Sequence, residues 1–381
     1  NSIRQSFNRR VLEPHLSDKK QPLSLVFAIP DHPWVDTADG AAVRIGMTVV
    51  GSGTTAGVLR EVVGERGAEN EVSVELKETR GVIHADLSAG AAVSDAQRLL
   101  ANRGLANVGV QLSGMGFVLD SETAERIRNS ESSELLAHYV NGRDINQSSR
   151  DVVVLDTDGL TLESLKEKYP TAFQHLLHFV KPERDQNKRE SYRKKWWIFA
   201  EPRRSLRDAI TGLSRYFGTS RTSRNRFFVA LPGKTIPDAK VVGVALQSAF
   251  HLGVLSSRLH EAWAAAAGAN LGVGNDLTYN HSDCFEKFPF PTASDEQSTR
   301  IRDLAEHLDA HRKRQQATHP GLTLTGMYNV LDTLRSGTAL SAKERSIHEQ
   351  GLVSVLRQLH DDLDATVLDA YGWSDLLPLL R

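Results

Sequence analysis

The chain has 381 residues, of which 40% are hydrophobic and 24% are charged. This composition is typical of a soluble globular protein of two or three domains and excludes a disordered or fibrous chain. The 46 lysines and arginines nearly balance the 47 aspartates and glutamates, so the net charge of −1 indicates no partner by itself.

The chain contains one cysteine, Cys284, which excludes an intrachain disulfide framework and favours a reducing, cytoplasmic compartment. Its first residues, NSIRQSFNRR, include neither an initiator methionine nor the apolar core of a signal peptide. No apolar run reaches the length of about eighteen residues that a membrane-spanning helix requires. We therefore expect a cytoplasmic fragment, or a processed piece of a longer protein.

The first part of the chain is rich in strand-forming residues. Apolar β-rich runs lie at residues 23–30 (LSLVFAIP), 42–50 (AVRIGMTVV) and 72–76 (VSVEL). The segment 49–64, VVGSGTTAGVLREVVG, resembles the strand, glycine turn and helix of a nucleotide-binding loop, but helical periodicity does not follow the glycines. A hairpin with its turn at Gly51–Gly53 is predicted instead.

The middle of the chain mixes strands and helices. Short strands are expected at 108–112 and 114–119, before a helix over Ser121–Arg128. Between Ser164 and Val180 the apolar residues recur at three- and four-residue steps around Pro170, which predicts two short helices. Another helix is predicted from the apolar stripe of Leu252, Leu255, Leu259 and Trp263.

The last part of the chain is predicted to be helical. Pro289 and Pro291, followed by TASDEQS, indicate a boundary. Ser341 and Glu344 have capping-box spacing, and a long amphipathic helix ending at Gly372 is predicted from the stripe Leu352, Val355, Leu359, Leu363 and Val367. The expected fold class is α/β (mixed α+β), with a β-rich part over 1–95, a mixed part over 96–292 and a helical part over 293–381.

Positive charge is concentrated between Lys181 and Arg226, where 14 basic and five acidic residues give a net charge of +9 and leave −10 for the rest. Seven of the cations form a dense run, Lys181, Arg184, Lys188, Arg189, Arg193, Lys194 and Lys195. Seven more follow, Arg203, Arg204, Arg207, Arg215, Arg221, Arg224 and Arg226. Such a series favours a multivalent grip on nucleic-acid phosphates over a solvated helix that is neutralised by its own acids.

Several other patterns favour structural roles. Trp196 and Trp197 are predicted as core anchors rather than base-stacking platforms. The order Glu75-Leu76-Lys77, which is typical of some nucleases, and the pair His307 and His311 both lack the further ligands of a metal site. No metal is expected in this chain.

Two polar segments have competing interpretations. Residues 141–144, Asn-Gly-Arg-Asp, predict a tight turn in which Asp144 caps the next element and Arg143 forms an internal ion pair. Ser257 and His260 are candidates for phosphate contacts, and His260 is equally a candidate for an internal hydrogen bond.

Several long blocks together resemble one family. They are HYVNGRDI (138–145), FVKPERDQNKRESYRKKWW (179–197), EPRRSLRDAI (201–210), RYFGTSRTSRNRFF (215–228), GVLSSRLHEAW (253–263) and TYN with CFEKFPFP (278–291). In this order they resemble the target recognition region of MmeI-like DNA methyltransferases, which are restriction-modification enzymes with relatives in phage defence. Residues 26–50 resemble the end of the methyltransferase sheet in that family, and residues 356–373 resemble its helical tail.

The resemblance implies a parent enzyme that transfers a methyl group from S-adenosylmethionine to the N6 of adenine in duplex DNA. Such enzymes hold the flipped adenine with an Asn/Asp-Pro-Pro-Tyr/Phe motif, and this chain contains no such motif. We therefore expect residues 1–95 to be a remnant of the methyltransferase domain. The chain alone is predicted to bind DNA with no catalytic or cofactor-binding residues, and the missing part of the same polypeptide would supply the chemistry.

The resemblance also assigns roles inside the basic series. It implies that Lys181, Arg184, Lys188, Arg189, Arg203 and Arg204 lie along the DNA backbone or in the domain's own polar framework. Base reading is then expected from 222–226, including Ser223, and from 270–278 beside Tyr279. Arg224 is the candidate for guanine, Asn275 for adenine and Asp276 for cytosine, each contributing about 1–3 kcal/mol of discrimination. Alternatively, residues 275–276 form only a turn and Arg224 contacts a phosphate.

Two rival functions stay open at this point. One is an RNA-binding, non-specific DNA-binding or scaffold protein that uses the basic series without reading a sequence. The other is an enzyme whose complete catalytic site lies within residues 1–95.

Overall fold

The computed structural model describes residues 9–34, 43–66, 73–90, 93–130, 132–271 and 276–380. The predicted mixed α/β class is confirmed. The chain forms two compact units: Asn1–Gln97 with Ala266–Leu277, and Arg98–Ala265 with Thr278–Arg381. Within the described ranges, no helix is both long and apolar enough to cross a membrane. The functional division at residues 95 and 292 stays a prediction.

The first unit is built on a four-stranded sheet. After a short helix α1 (Glu13–Leu16) come β1 (Leu23–Trp34), β2 (Val43–Ser52), β3 (Gly57–Arg66) and β4 (Ser73–Gly81), in the spatial order β2-β1-β3-β4. The strands predicted from the apolar runs are therefore present. One face of the sheet buries the small core Leu25, Ala28, Leu59, Ile83 and Leu87.

The hairpin predicted at Gly51–Gly53 is wrong in its pairing. The chain does turn there, and Gly53 has a φ of +88°, but β1 lies between β2 and β3 and runs parallel to β3. A Cβ on Gly57 would lie 2.1 Å from the carbonyl oxygen of Leu25, so only glycine allows β1 and β3 to approach this closely. The segment after the glycines is strand β3, in agreement with the rejection of a nucleotide-binding helix.

The second unit contains two further four-stranded sheets. The strands are β5 (Ala106–Val108), β6 (Val118–Leu119), β7 (Leu136–Val140), β8 (Val153–Leu155), β9 (Arg215–Ser220), β10 (Thr222–Ser223), β11 (Val229–Pro232), β12 (Ile236–Pro237) and β13 (Val241–Val244). One sheet has the order β11-β9-β13-β5 and the other has the order β12-β7-β8-β6. The strand expected at 108–112 lies earlier, as β5, and shares one residue, Val108, with the prediction, whereas the strand expected at 114–119 is reduced to β6. Next in chain order come β14 (Ala269–Leu271) and β15 (Asp276–Thr278), of which residues 269–271 and 276–277 belong to the first unit.

Short helices connect these strands. They are α2 (Ser121–Arg128), α3 (Gly142–Asn146), α4 (Leu162–Lys168), α5 (Pro170–Phe179), α6 (Lys181–Asp185), α7 (Glu190–Lys194), α8 (Arg204–Ile210), α9 (Ala249–Leu255) and α10 (Arg258–Ala267). The helix at 121–128 and the pair of helices separated at Pro170 are confirmed. The single helix predicted through Leu252 and Trp263 is instead divided into α9 and α10 at Ser256 and Ser257.

The described part of the tail forms four α-helices, α11 (Asp295–Thr318), α12 (Leu324–Arg335), α13 (Ala342–Gly351) and α14 (Val353–Tyr371). The capping box of Ser341 and Glu344 and the end at Gly372 are confirmed. One hydrophobic core joins tail residues such as Leu308, Met327 and Leu356 to Phe227 and Val241 of the sheet part. The tail and the mixed part before it are therefore packed as one unit.

The long helix predicted from the capping box at Ser341 to Gly372 is interrupted at Leu352. This residue has a left-handed backbone (φ +44°), its side chain is 48% exposed, and it separates α13 from α14. We expect Leu352→Gly to be more stable than Leu352→Ala by about 1 kcal/mol, because a Cβ is strained in this conformation. Urea unfolding of the two variants measures the difference. In a continuous helix the alanine variant would be the more stable, which is the contradicting order.

Candidate nucleic-acid interface

Most cations of the run 181–195 already have partners within the protein. Lys181 pairs with Asp185 at 2.5 Å, and Lys194 pairs with Glu190 at 2.8 Å, each one helical turn apart. Arg189 donates to the hydroxyl of Tyr192 at 2.7 Å. The two exposed lysine–carboxylate pairs contribute only about 0.3–0.5 kcal/mol each, so a phosphate oxygen can replace the carboxylate at little cost.

Arg184 requires a correction, because it does not lie on the surface. Its side chain is fully buried between the rings of Phe117 and Tyr192. One guanidinium nitrogen donates to the carbonyl oxygens of Leu112 and Ile198, both at 2.8 Å, and the other donates to the Tyr192 carbonyl oxygen at 3.3 Å. Burial lowers the pKa of this guanidinium. Of its two predicted roles, Arg184 therefore has the one in the polar framework and is excluded from direct DNA contact in this fold.

Neighbouring residues complete this framework. Arg193 is half-buried and donates to the carbonyl oxygen of Asn187 at 2.5 Å. Trp196 is buried in the same hydrophobic core as Phe117, and the indole N–H of Trp197 donates to the Leu160 carbonyl oxygen at 2.9 Å. The prediction that both tryptophans are core anchors is confirmed.

Two lysines of the run are free to meet a partner. Lys188 and Lys195 are exposed, and no carboxylate in the described part of the chain lies within ion-pair distance of either. Arg204 is exposed but pairs with Asp158 at 3.0 Å. Arg203, directly before α8, has a left-handed backbone with a φ of +52°. The run therefore presents a few solvent-facing cations on a framework, rather than seven equivalent phosphate ligands.

Two exposed arginines of the second series, Arg221 and Arg224, lie on one turn, Ser220–Arg226, which we call the recognition turn. Arg221 and Arg224 are exposed, and within the described ranges no carboxylate forms an ion pair with either. Ser223 and Arg226 are buried. The turn thus alternates outward-facing cations with inward-facing anchors.

Arg226 supports the turn from the protein interior. The prediction that it contacts DNA directly is therefore corrected. Its guanidinium donates to the carbonyl oxygen of Ser220 and, at 3.2 Å, to the hydroxyl of Thr219. It also lies 5.2 Å from the ring centroid of Tyr279. Ser223 donates to the Asn225 carbonyl oxygen at 2.8 Å. Arg226, Ser223 and the buried Tyr279 therefore position the turn, whereas Arg221 and Arg224 face solvent.

His260 belongs to the same buried cluster. Of its two predicted roles, phosphate contact and internal hydrogen bond, it has the internal hydrogen bond. Its Nε2 lies 3.0 Å from the hydroxyl of Tyr279, and its side chain is 0% exposed. Burial, assisted by the charge of Arg226, lowers the pKa of His260 to about 3. Ser257 is also buried and donates to the Val254 carbonyl oxygen at 2.7 Å.

A pH prediction follows for His260. Its folded pKa lies below the unfolded value of about 6.5, so the stability that it contributes is present above that value and lost as the pH falls toward the folded pKa. Between about pH 6.5 and about pH 5, the wild type is expected to lose about 1–2 kcal/mol more than His260→Gln. Urea unfolding at several pH values measures this difference. Parallel pH dependence in both proteins would contradict it.

The recognition turn has a third cation beside it that the sequence did not single out. The backbone N–H of Arg221 donates to the carbonyl oxygen of Lys240 at 2.7 Å, and the Lys240 side chain is exposed. A Cβ on Gly142 would lie 3.0 Å from the hydroxyl oxygen of Ser220, so α3 packs directly against the turn. No sequence signal links Lys240 to Arg221, because only strand pairing brings them together.

The turn at 141–144 is structural, as predicted, but its ion pair is different. Asn141 and Asp144 form a capping box at the start of α3. Asp144 pairs with Arg150 at 2.6 Å. Arg143, which was predicted to form the ion pair, is exposed and donates to the side chain of Gln147 at 2.9 Å.

Part of the second predicted reading segment, 270–278, lies outside the described residues. Asn275 and the side chain of Asp276 lie outside the described residues, so their base-reading roles stay predictions. Tyr279 is 1% exposed, and its backbone N–H donates to the carbonyl oxygen of Arg221 at 2.7 Å. The end of this segment is therefore attached to the recognition turn.

The described residues contain no group of three or more histidine, cysteine, aspartate or glutamate side chains arranged to hold a metal ion. His311 is buried and its Nε2 lies 3.0 Å from the Gly351 carbonyl oxygen, whereas His307 is exposed. Burial raises the pKa of the Cys284 thiol to about 11.

Comparison with known proteins shows the family to which the chain belongs. The family model described as the MmeI target recognition domain matches residues 89–292, which is more than half of the chain. The chain belongs to the MmeI target recognition domain family. The predicted family is thus confirmed, and the recognition turn and the run 181–195 both lie inside the matched segment. No curated protein matches the chain.

Solved structures provide the comparison of folds. The structure of the type IIL restriction-modification enzyme MmeI in complex with DNA matches with a TM-score of 0.69 and 18% sequence identity. The match covers 98% of this chain and 46% of the MmeI chain, so this chain spans about half of that relative's length. The type IIG restriction endonuclease BpuSI matches with a TM-score of 0.31 and 10% identity, over 96% of this chain and 45% of BpuSI.

Proposed function

We propose that this chain is the segment of a restriction-modification enzyme that recognises a specific sequence in duplex DNA. Membership of the MmeI target recognition domain family supports this, as does the match of nearly its whole length to a fold that was solved in complex with DNA. The observation that carries the proposal is the recognition turn, where Arg221 and Arg224 face solvent on a backbone that buried Arg226 holds in place.

The geometry supports two different roles for the cations, phosphate contact and base reading. Lys188 and Lys195 provide unpaired, flexible charges suited to phosphates, which act at any sequence. Arg224 has a planar fork of donors that fits the O6 and N7 acceptors of guanine, and its backbone is fixed by the anchors on either side. Reading a base requires such a fixed backbone, whereas neutralising a phosphate does not.

Further parts of the proposal concern the whole enzyme. The parent would be an adenine-N6 methyltransferase that uses S-adenosylmethionine, acts in restriction-modification or phage defence and works in the cytoplasm. Its catalytic residues would lie in a part of the polypeptide outside this chain. This chain would then place that part on the DNA without reacting itself.

Selection from a pool of randomised duplexes, in the presence of excess competitor DNA, tests the proposal. The chain is expected to enrich one short asymmetric motif, and its affinity for that motif is expected to exceed that for a scrambled duplex by about a thousandfold or more. Recovery of unenriched duplexes, or equal binding of single-stranded RNA, would instead favour the non-specific rival. Incubation of the chain with S-adenosylmethionine and the enriched duplex tests the other rival, since methyl transfer would place a catalytic site within it.

A further inference from the structure

The helical tail reaches the recognition turn directly. The side-chain amide of Asn225, which is buried within the turn, donates to the side-chain oxygen of Asn329 on α12 at 3.1 Å. Just beyond the turn, Arg312 on α11 donates to the Phe228 carbonyl oxygen at 2.9 Å, and Asp309 accepts from the Ala230 N–H at 3.2 Å. The turn and the strand that follows it are therefore fixed by the tail.

This attachment places a carboxylate beside Arg224. Asp332 lies three residues after Asn329 on α12, so both project from the same side of the helix. Arg224 is the sequence neighbour of Asn225, so the bond between Asn225 and Asn329 holds Arg224 and Asp332 on the two elements that meet at this contact. Both side chains are exposed.

The surrounding charges single out this pair. Packing of protein atoms raises the pKa of Asp332, and among the nearby cations Arg224 opposes that rise most strongly, ahead of Arg335 and Arg258. Arg335 already pairs with Asp361 at 3.2 Å. Arg224 is therefore the main counter-charge available to Asp332, although no ion pair between them is formed within the described residues.

A carboxylate in this position penalises indiscriminate binding. A phosphate that approaches Arg224 also approaches Asp332, which repels it and competes for the guanidinium. At the correct site, hydrogen bonds from Arg224 to a base edge offset that penalty, but at a random sequence nothing offsets it. Specificity is a difference between two affinities, and an element that weakens the wrong complex raises it.

We propose that Asp332, in the helical tail, is a specificity-determining residue that suppresses binding of Arg224 to non-cognate DNA. This inference rests on the proposed function and extends the recognition surface from the turn to α12. It assigns to the tail a role in discrimination, in addition to its packing role.

The test uses the whole chain with Asp332→Asn, which keeps the side-chain shape and removes the charge. Its affinity for a scrambled duplex is expected to rise about fivefold relative to the wild type, with a smaller change for the selected duplex, so that the ratio of the two affinities falls. Glu349→Gln removes one exposed carboxylate from α13 of the same tail and serves as the matched control. It is expected to leave both affinities unchanged within about twofold.

Three outcomes would overturn the inference. They are an unchanged affinity of Asp332→Asn for the scrambled duplex, an equal rise in Glu349→Gln, and a loss confined to the selected duplex, which would make Asp332 a base contact. The circular dichroism of each variant establishes that it is folded. A wild-type chain without any preferred duplex would refute the proposed function instead, so the two failures are distinguishable.

Discussion

Replacing Arg184 by alanine is expected to lower the free energy of unfolding by about 3–5 kcal/mol. The substitution removes a side chain that is 0% exposed together with its hydrogen bonds to three backbone carbonyl oxygens, of which that of Leu112 keeps a second donor, the Ala200 N–H at 3.3 Å. It also opens a cavity between Phe117 and Tyr192. Urea unfolding followed by tryptophan fluorescence measures the loss, because Trp196 and Trp197 pack in or against the same core.

Lys188→Ala is the matched control for this experiment, since it removes a cation from the same run at an exposed position. Its free energy of unfolding is expected to stay within about 0.5 kcal/mol of the wild type. Its affinity for any duplex is expected to fall. The slope of log affinity against log salt concentration is expected to decrease by about one, which corresponds to the loss of one phosphate contact. If the Arg184 variant were as stable as the Lys188 variant, the framework role of Arg184 would be wrong.

The second large effect is expected at Arg224, where alanine should relax the sequence preference at one base pair. The loss of discrimination is expected to be about 1–3 kcal/mol at that position, because only the correct base edge offers two acceptors to the guanidinium. Binding of a scrambled duplex should change much less. Selection from the same randomised pool with wild type and variant reveals the position through the motif that each enriches.

Lys195→Ala provides the comparison for Arg224, because Lys195 is an exposed cation outside the recognition turn. It is expected to weaken binding to every duplex by a similar factor and to leave the enriched motif unchanged. If Arg224→Ala behaved in the same uniform way, Arg224 would be a phosphate contact, which is the alternative that the sequence left open.

Local features of the fold were predictable because short-range chemistry determines them. The helices on either side of Pro170 follow from proline geometry and apolar periodicity, and the capping box of Ser341 and Glu344 satisfies helix-end donors within four residues. The family was predictable because long blocks of residues, in order, carry the information that single motifs lack.

Features that depend on long-range pairing were not predictable. Nothing in the sequence distinguishes Arg184 and Arg226, which are buried, from Arg221 and Arg224, which are exposed, because tertiary packing decides which arginine meets carbonyl oxygens and aromatic rings. The insertion of β1 between β2 and β3 likewise depends on pairing across the sheet. The contact of Asn225 with Asn329 joins residues 104 positions apart, so the tail's place beside the recognition turn is visible only in the folded chain.

Hydrogen exchange of the chain, free and saturated with its selected duplex, tests the central claim most directly. If DNA is read at the recognition turn, exchange is expected to slow in peptides covering Ser220–Arg226 and the neighbouring Lys240, and a scrambled duplex should give less protection there. Unchanged exchange at the recognition turn, with protection appearing only in other segments of the chain, would contradict the claim.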